Sequence, residues 1–182
     1  MTKADRNRII IDEKEFDILL QNSEIIHRIK EIADSLNTEY EDKELHIVVV
    51  LKGAFVFAAE LIRHLNIAFK LDFIAVASYL GEKRDDVKLK SNTLSNAVGK
   101  NLLILEDIVD SGATVDFLAN YFQEQTVQSL KIASLLFKPN NFKGINKPDY
   151  VGFSIGNEFV IGYGLDYNQD ARGLSHLYQK IT

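Results

Sequence analysis

The chain has 182 residues, a net charge of −5, 46% apolar and 26% charged residues, and no cysteine. That length suits one domain with a sizeable core, the acidic balance offers no surface for nucleic acid, and the missing cysteines exclude disulfides, thiolate catalysis and cysteine-bound zinc. No apolar run reaches the roughly 18–20 residues of a membrane span, and the polar start, Met1 to Arg8, lacks the apolar centre of a secretion signal, so a cytoplasmic protein is expected, with no membrane partner.

Asp12 followed by Glu15 has the spacing of a helix N-cap and its capping-box acid. Ile18, Ile25, Ile29, Ile32 and Leu36 recur near helical spacing, which predicts a helix over roughly 13–37. Ile47 to Leu51 is a β-branched run and reads as a buried strand. It stops at Lys52-Gly53, and Phe55, Ala58, Ala59, Ile62 and Leu65 follow with helical spacing. A Lys-Gly turn between strand and helix is by itself a weak functional signal. Leu71 to Ala77 reads as another strand, ending at Ser78-Tyr79. Residues 80–101 are polar, with mixed charges from Glu82 to Lys90 and no clear period. They read as a solvated hairpin or loop, and a loop of that length in a compact domain is often a lid.

Leu102 to Leu105 form an apolar strand that runs straight into three carboxylates, Glu106, Asp107 and Asp110. Ser111-Gly112-Ala113-Thr114 then turns the chain into a helix whose apolar face is Val115, Leu118, Tyr121 and Phe122. In open α/β sheets, ligands sit beyond the carboxyl ends of strands. The N–H groups of such a turn suit a phosphate, and the acids suit sugar hydroxyls and Mg²⁺. An acidic strand end in another doubly wound protein, such as a receiver-like phosphoacceptor pocket, has a related layout. A receiver carries its acid pair near the N-terminus, however, and this one lies past the midpoint.

Leu130 to Phe137 is a further strand, halted at Lys138-Pro139 because proline cannot donate to a ladder. Val151 to Ile155 is the next, and Glu158 to Tyr163 follows a turn at Gly156-Asn157. The tail from Gly164 is turn-rich and holds Asp166, Asp170 and Arg172. The alternation predicts an α/β fold, a mainly parallel twisted sheet flanked by helices. One domain over residues 1–182 is expected, with a core over about 38–155. The chain ends, about 1–20 and 156–182, do not fit the alternation and are expected to build a small hood over the strand ends. His27, His46, His64 and His176 match no triad or metal spacing and receive no role.

The stretch Leu102 to Val115 resembles the motif that binds 5-phosphoribosyl-1-diphosphate (PRPP) in the type I phosphoribosyltransferases. Leu51-Lys52-Gly53, Ser78-Tyr79, Leu136 to Pro139, and Glu158 to Tyr167 with Arg172 after it extend the resemblance, in order, from about residue 47 to 178. Together they resemble the hypoxanthine-guanine branch of that family. Ala113 is a small departure, where relatives carry a longer side chain, in a loop that works through its backbone.

The resemblance implies a role for each matched position. Amides around Lys52 and Gly53 would face the diphosphate, and the peptide before this lysine is often cis in the family. Glu106 and Asp107 would take the ribose hydroxyls, directly or through Mg²⁺. Asp110, Ser111, Gly112, Ala113 and Thr114 would hold the 5′-phosphate. Arg172 would share the diphosphate charge, and Asp166 matches the second-metal aspartate. Asp110 would be the general base for the purine N7 proton; alone, such an acid reads as a cap of the next helix. Lys138 would point at the purine 6-oxygen, Phe159 would stack on the base where a strand phenylalanine otherwise reads as core, and backbone carbonyls near Val160 and Asp166 would read the 2-position. Ser78 and Tyr79 would open a lid over about 79–93. The implied reaction joins hypoxanthine or guanine to the phosphoribosyl group, giving IMP or GMP plus diphosphate, in a homodimer or homotetramer with the Lys52 loop near an interface. A xanthine-preferring relative and a PRPP- or nucleotide-sensing regulator on the same fold stay open beside it. The regulator would be expected to lose Asp110 or the base pocket, or to add a nucleic-acid surface.

Overall fold

The computed structural model describes residues 8–79 and 86–181, the side chains at 77–79 and 86 excepted. Its first elements correct the sequence reading. Instead of one helix over 13–37, strand β1 (Arg8–Ile11) and strand β2 (Lys14–Leu20) form an antiparallel hairpin, and helix α1 (Asn22–Glu39) begins only afterwards. Asp12 and Glu13 are the hairpin turn, both at positive φ, so Asp12 is no helix cap. Glu15 pairs with Arg8 at 2.8 Å rather than closing a capping box. That box sits nine residues on, where the Glu24 carboxylate accepts the Gln21 N–H at 2.8 Å. Phe16, fully buried, decides the outcome: its strand gains partners on both edges, and tertiary pairing outweighs local helical spacing.

The central sheet follows. β3 (Leu45–Leu51) leads to α2 (Phe55–Ile62), then to β4 (Phe69–Tyr79) and β5 (Asp86–Asn92). β6 (Asn101–Val109) leads through α3 (Ala113–Gln123) to β7 (Ser129–Phe137) and β8 (Tyr150–Ser154). These strands form a six-stranded sheet in the order β5-β4-β3-β6-β7-β8. Every pair is parallel except β4–β5. The stretch 80–101, without a period in the sequence, thus contributes β5 as an antiparallel edge strand; of the lid expected over 79–93, residues 80–85 lie outside the described residues.

Alternation along β6 divides its side chains between the two faces. Leu103 and Leu105 join the core under α1 and α2, while Leu102 and Ile104 join Val115, Leu118 and Phe122 of α3. All of these are essentially without solvent exposure. The sheet is therefore covered by helices on both faces, as its continuous apolar strands require.

The strand expected over Glu158 to Tyr163 shrinks to β9 (Val160–Ile161). Gly162 at φ 93° and Tyr163 at φ 49° turn the chain at once, and a Cβ at Gly162 would meet the His176 carbonyl at 2.2 Å. A last strand, β10 (Leu177–Lys180), pairs with both β2 and β9. The chain ends thus build a separate four-stranded sheet, β1-β2-β10-β9. Among the described residues, no helix is long and apolar enough to cross a membrane.

Candidate active site

β6 carries its apolar run past Leu105 and keeps Glu106 and Asp107 inside the ladder, so the chain leaves the sheet only at Asp110. Glu106 is buried, and its Oε2 has no hydrogen-bond partner. Burial, and then the neighbouring Asp107 charge, push the Glu106 carboxyl well above its ordinary value. Burial also raises Asp107, although a hydrogen bond with Glu106 and the Ile108 N–H at 2.9 Å work in the opposite direction.

The two acids open onto different spaces. Glu106 lines a cavity of about 100 Å³ whose remaining walls are Ile108 to Val115. The turn there is closed by Gly112 at φ 93°, with Ala113 N–H facing Ser111 Oγ at 3.4 Å. Beyond that long contact no side chain caps α3, so the N–H groups that follow stay available to an anion, and Asp110 is no cap. Asp107 lines a second pocket of about 220 Å³ together with Ile108, Asp110, Lys138, Phe159, Val160, Leu165 and Asp166. Asp110 stands on the rim of both.

Lys138 is almost wholly buried at the end of β7, its N–H bonded to the Val109 carbonyl at 2.9 Å and its Nζ 3.3 Å from Asp110 Oδ2. A buried cation next to an acid makes a fixed donor and acceptor side by side. Phe159 is 48% exposed rather than in the core, and Tyr167 holds its ring edge-on at 5.9 Å. Lys14 of β2 bonds the Tyr167 hydroxyl and lies over its ring, so the small sheet supports this wall.

The turn after β3 closes the opposite side. The Leu51–Lys52 peptide is cis. Gly53 lies so close to the acids that a Cβ on it would sit 1.5 Å from Asp107 Oδ2, so only glycine lets the turn approach. The exposed Lys52 reaches Gln169 Oε1 at 3.3 Å, and the Gln169 N–H bonds Asp166 Oδ2 at 2.9 Å. Arg172 is 2.5 Å from Asp166 Oδ1 and also donates to the Gly164 carbonyl at 2.8 Å. Ser78 and Tyr79 end β4, and their side chains lie outside the described residues.

The four histidines face carboxylates or backbone away from these pockets: His27 by Glu31, His46 by Glu44, His64 by Glu60, and His176 accepting the Asn22 N–H. Gln169, Leu165 and Ile108 went unnoticed in the sequence. Each enters the site only through a turn or a strand end, and none belongs to a residue type that announces chemistry.

Among the described residues, no three carboxylate or histidine side chains are gathered to cage a metal. The donors nonetheless suit Mg²⁺, a hard cation commonly held by one or two carboxylates plus substrate phosphates. The unpartnered Glu106 oxygen and the adjacent Asp107 supply such a partial set.

The chain matches the sequence profile of the phosphoribosyl transferase domain over residues 15–168. It is 38% identical to the hypoxanthine-guanine phosphoribosyltransferase of Bacillus subtilis over 162 residues, 88% of this chain and 90% of that one. A crystal structure of the Bacillus anthracis hypoxanthine-guanine phosphoribosyltransferase superposes with a TM-score of 0.86 at 38% identity, covering 91% and 97% of the two chains. The Trypanosoma cruzi hypoxanthine phosphoribosyltransferase in complex with the product IMP superposes at 0.85 with 34% identity, covering 94% and 96%.

Proposed function

This chain belongs to the phosphoribosyltransferases, in their hypoxanthine-guanine branch, and is a pentosyltransferase; from that premise we propose that it joins N9 of hypoxanthine or guanine to C1′ of PRPP, expelling diphosphate and giving IMP or GMP. One observation carries the proposal: two neighbouring pockets share the Asp110 rim, one walled by a helix-start turn and the other by Lys138 and an exposed phenylalanine. The first suits a phosphate on ribose, the second a flat oxygen-bearing base, and the bond that forms would lie between them.

The Asp110–Lys138 pair supports recognition and chemistry together. An oxopurine offers an acceptor at its 6-oxygen and an N–H at N7, the mirror image of a lysine donor beside a carboxylate acceptor. As N9 bonds to C1′, the N7 proton becomes acidic, and Asp110 takes it as general base. Lys138 has three donors and no acceptor, so the 6-amino group of adenine would face a charged donor in a desolvated place. Phe159 stacks on the ring, and backbone carbonyls near Val160 and Asp166 read position 2. Residues 110–114 hold the 5′-phosphate, while Lys52, Gly53 and Arg172 face the diphosphate. Glu106, Asp107 and Asp166 would hold Mg²⁺ together with PRPP, and the ion would supply positive charge against the departing diphosphate. We place the enzyme in purine salvage in the cytoplasm, as a homodimer or homotetramer.

A spectrophotometric assay with PRPP, Mg²⁺ and each of hypoxanthine, guanine, xanthine and adenine tests this. Hypoxanthine and guanine should turn over, EDTA should abolish turnover and magnesium restore it. Adenine should be slower by about four orders of magnitude, the size of penalty a hydrogen-bonding site imposes on a mismatched analogue. Adenine turnover equal to that of hypoxanthine would overturn the assignment of Lys138, and preference for xanthine would move the enzyme to a sister specificity.

A further inference from the structure

The connection from β7 to β8, residues 138–149, lies across the outside of the phosphate turn and touches it in three places. The Lys143 N–H donates to the Ser111 carbonyl at 2.9 Å. The Phe142 ring fills the space where a Gly112 Cβ would stand, 2.6 Å from its Cε2, and the Gly144 Cα lies 3.1 Å from the same point. The third place is a single carboxylate, Asp116, in the first turn of α3. Its Oδ1 accepts the Asn146 N–H and side-chain Nδ2–H, both at 2.8 Å, and its Oδ2 accepts the Ile145 N–H at 2.9 Å. Gly144 passes so near that a Cβ there would sit 2.6 Å from Asp116 Oδ2.

An acid in the first turn of a helix ordinarily serves the helix dipole. Here that position also borders a turn whose N–H groups receive a phosphate, and a bare carboxylate would oppose the incoming charge. Three N–H groups of the strap converge on Asp116 and absorb it. The base-reading lysine at the start of the same strap is held separately, by the Val109 carbonyl at 2.9 Å and by Asp110 at 3.3 Å.

We infer that Asp116 is a positioning residue for the 5′-phosphate: it ties the 142–146 strap against Gly112 and so fixes the shape of the cradle, without governing the base. The inference rests on the reading of residues 110–114 as that cradle. Titration of GMP, together with steady-state kinetics run well below each variant's melting midpoint, tests it. Asp116→Ala should weaken GMP and raise KM for PRPP by about tenfold, the loss expected when a charge-assisted hydrogen-bond set is removed. KM for hypoxanthine should stay within about twofold, since it reports binding of a group that residues 142–146 do not hold. Asp116→Asn, which keeps an oxygen for the Asn146 donors, should recover most of the affinity. Unchanged GMP affinity in Asp116→Ala, an equal rise of both KM values, or no recovery in Asp116→Asn would each overturn the inference. Should Asp116→Ala not fold, Gly144→Ala, whose Cβ pushes on Asp116 Oδ2, is read in the same way. A wild type that does not bind GMP would instead remove the cradle reading, and the inference with it.

Discussion

The two ends of the central sheet treat charge in opposite ways. Where the strands begin, Glu39 at the close of α1 meets Lys131 at 2.7 Å and accepts a hydrogen bond from the Tyr150 hydroxyl, while Lys131 lies over the Tyr150 ring at 5.4 Å. Burial pushes the Glu39 carboxyl up, but the two donors outweigh it and hold the group below its ordinary value; the same burial and the same acid drive the Tyr150 hydroxyl up. Where the strands finish, Glu106 keeps a buried oxygen without a partner, and both it and Asp107 are raised. At the first end the Glu39 carboxylate finds both of its partners within the protein, whereas at the second the Glu106 carboxylate keeps an oxygen that the protein does not pair. A buried polar group left unsatisfied calls for an explanation, and perturbed acids in a cleft are a functional signal.

That contrast breaks most decisively at Asp110. Asp110→Asn should lower kcat by about 10²–10⁴, the usual worth of a general base, while PRPP still binds through the turn amides. Steady-state kinetics decide: a kcat within about threefold of wild type would make Asp110 a turn residue.

Glu106 sharpens the contrast from the side of stability. In EDTA-treated protein at neutral pH, Glu106→Gln should raise stability, because a neutral amide there carries no charge for burial and Asp107 to oppose, while turnover with PRPP is lost. Because the folded carboxyl titrates above its unfolded value, its contribution is present at low pH and lost as pH rises through the folded value. The gap between variant and wild type in thermal melts should therefore widen as pH rises above the ordinary 4.5 of a glutamate. A variant that melts below wild type would contradict this.

At the far end the signs reverse. Glu39→Gln should leave kcat alone and cost only about 0.5 kcal/mol, since the group is partly open to solvent screening. Its folded carboxyl lies below the usual 4.5, so the stabilisation is present above that value and disappears as pH falls through the lower folded one. Wild type and variant should converge in melting temperature on acidification; an unchanged difference at low pH would detach Glu39 from Lys131.

The parallel strands of the central sheet were legible because they are continuous apolar runs, whereas the polar edge strand β5 was not, and Glu106, Asp107 and Asp110 were legible because acids at the end of such a run have no packing reason to be there. The small sheet was not. Ile18 stands seven residues before Ile25, a spacing that also fits a helix, and the strands that pack on Phe16 and Ile18, Val160–Ile161 and Leu177–Lys180, lie at the other end of the chain. Asp116 and Gln169 were invisible for a related reason. Their roles depend on which backbone groups the fold carries past them, and no local pattern encodes that.

The small sheet also orders the protein's assembly. The 110–114 turn is made from one contiguous stretch, β6 through α3, whose pairing partners β3 and β7 lie closer in sequence than those of the small sheet. Phe159 and Val160 are held by a sheet that joins residues from opposite ends of the chain. Contacts of such long range are intrinsically late, because the closure entropy comes before the reward. The turn over residues 106–114 should therefore form before the wall of Phe159 and Val160, and that wall should be the part most easily undone by fraying at either end.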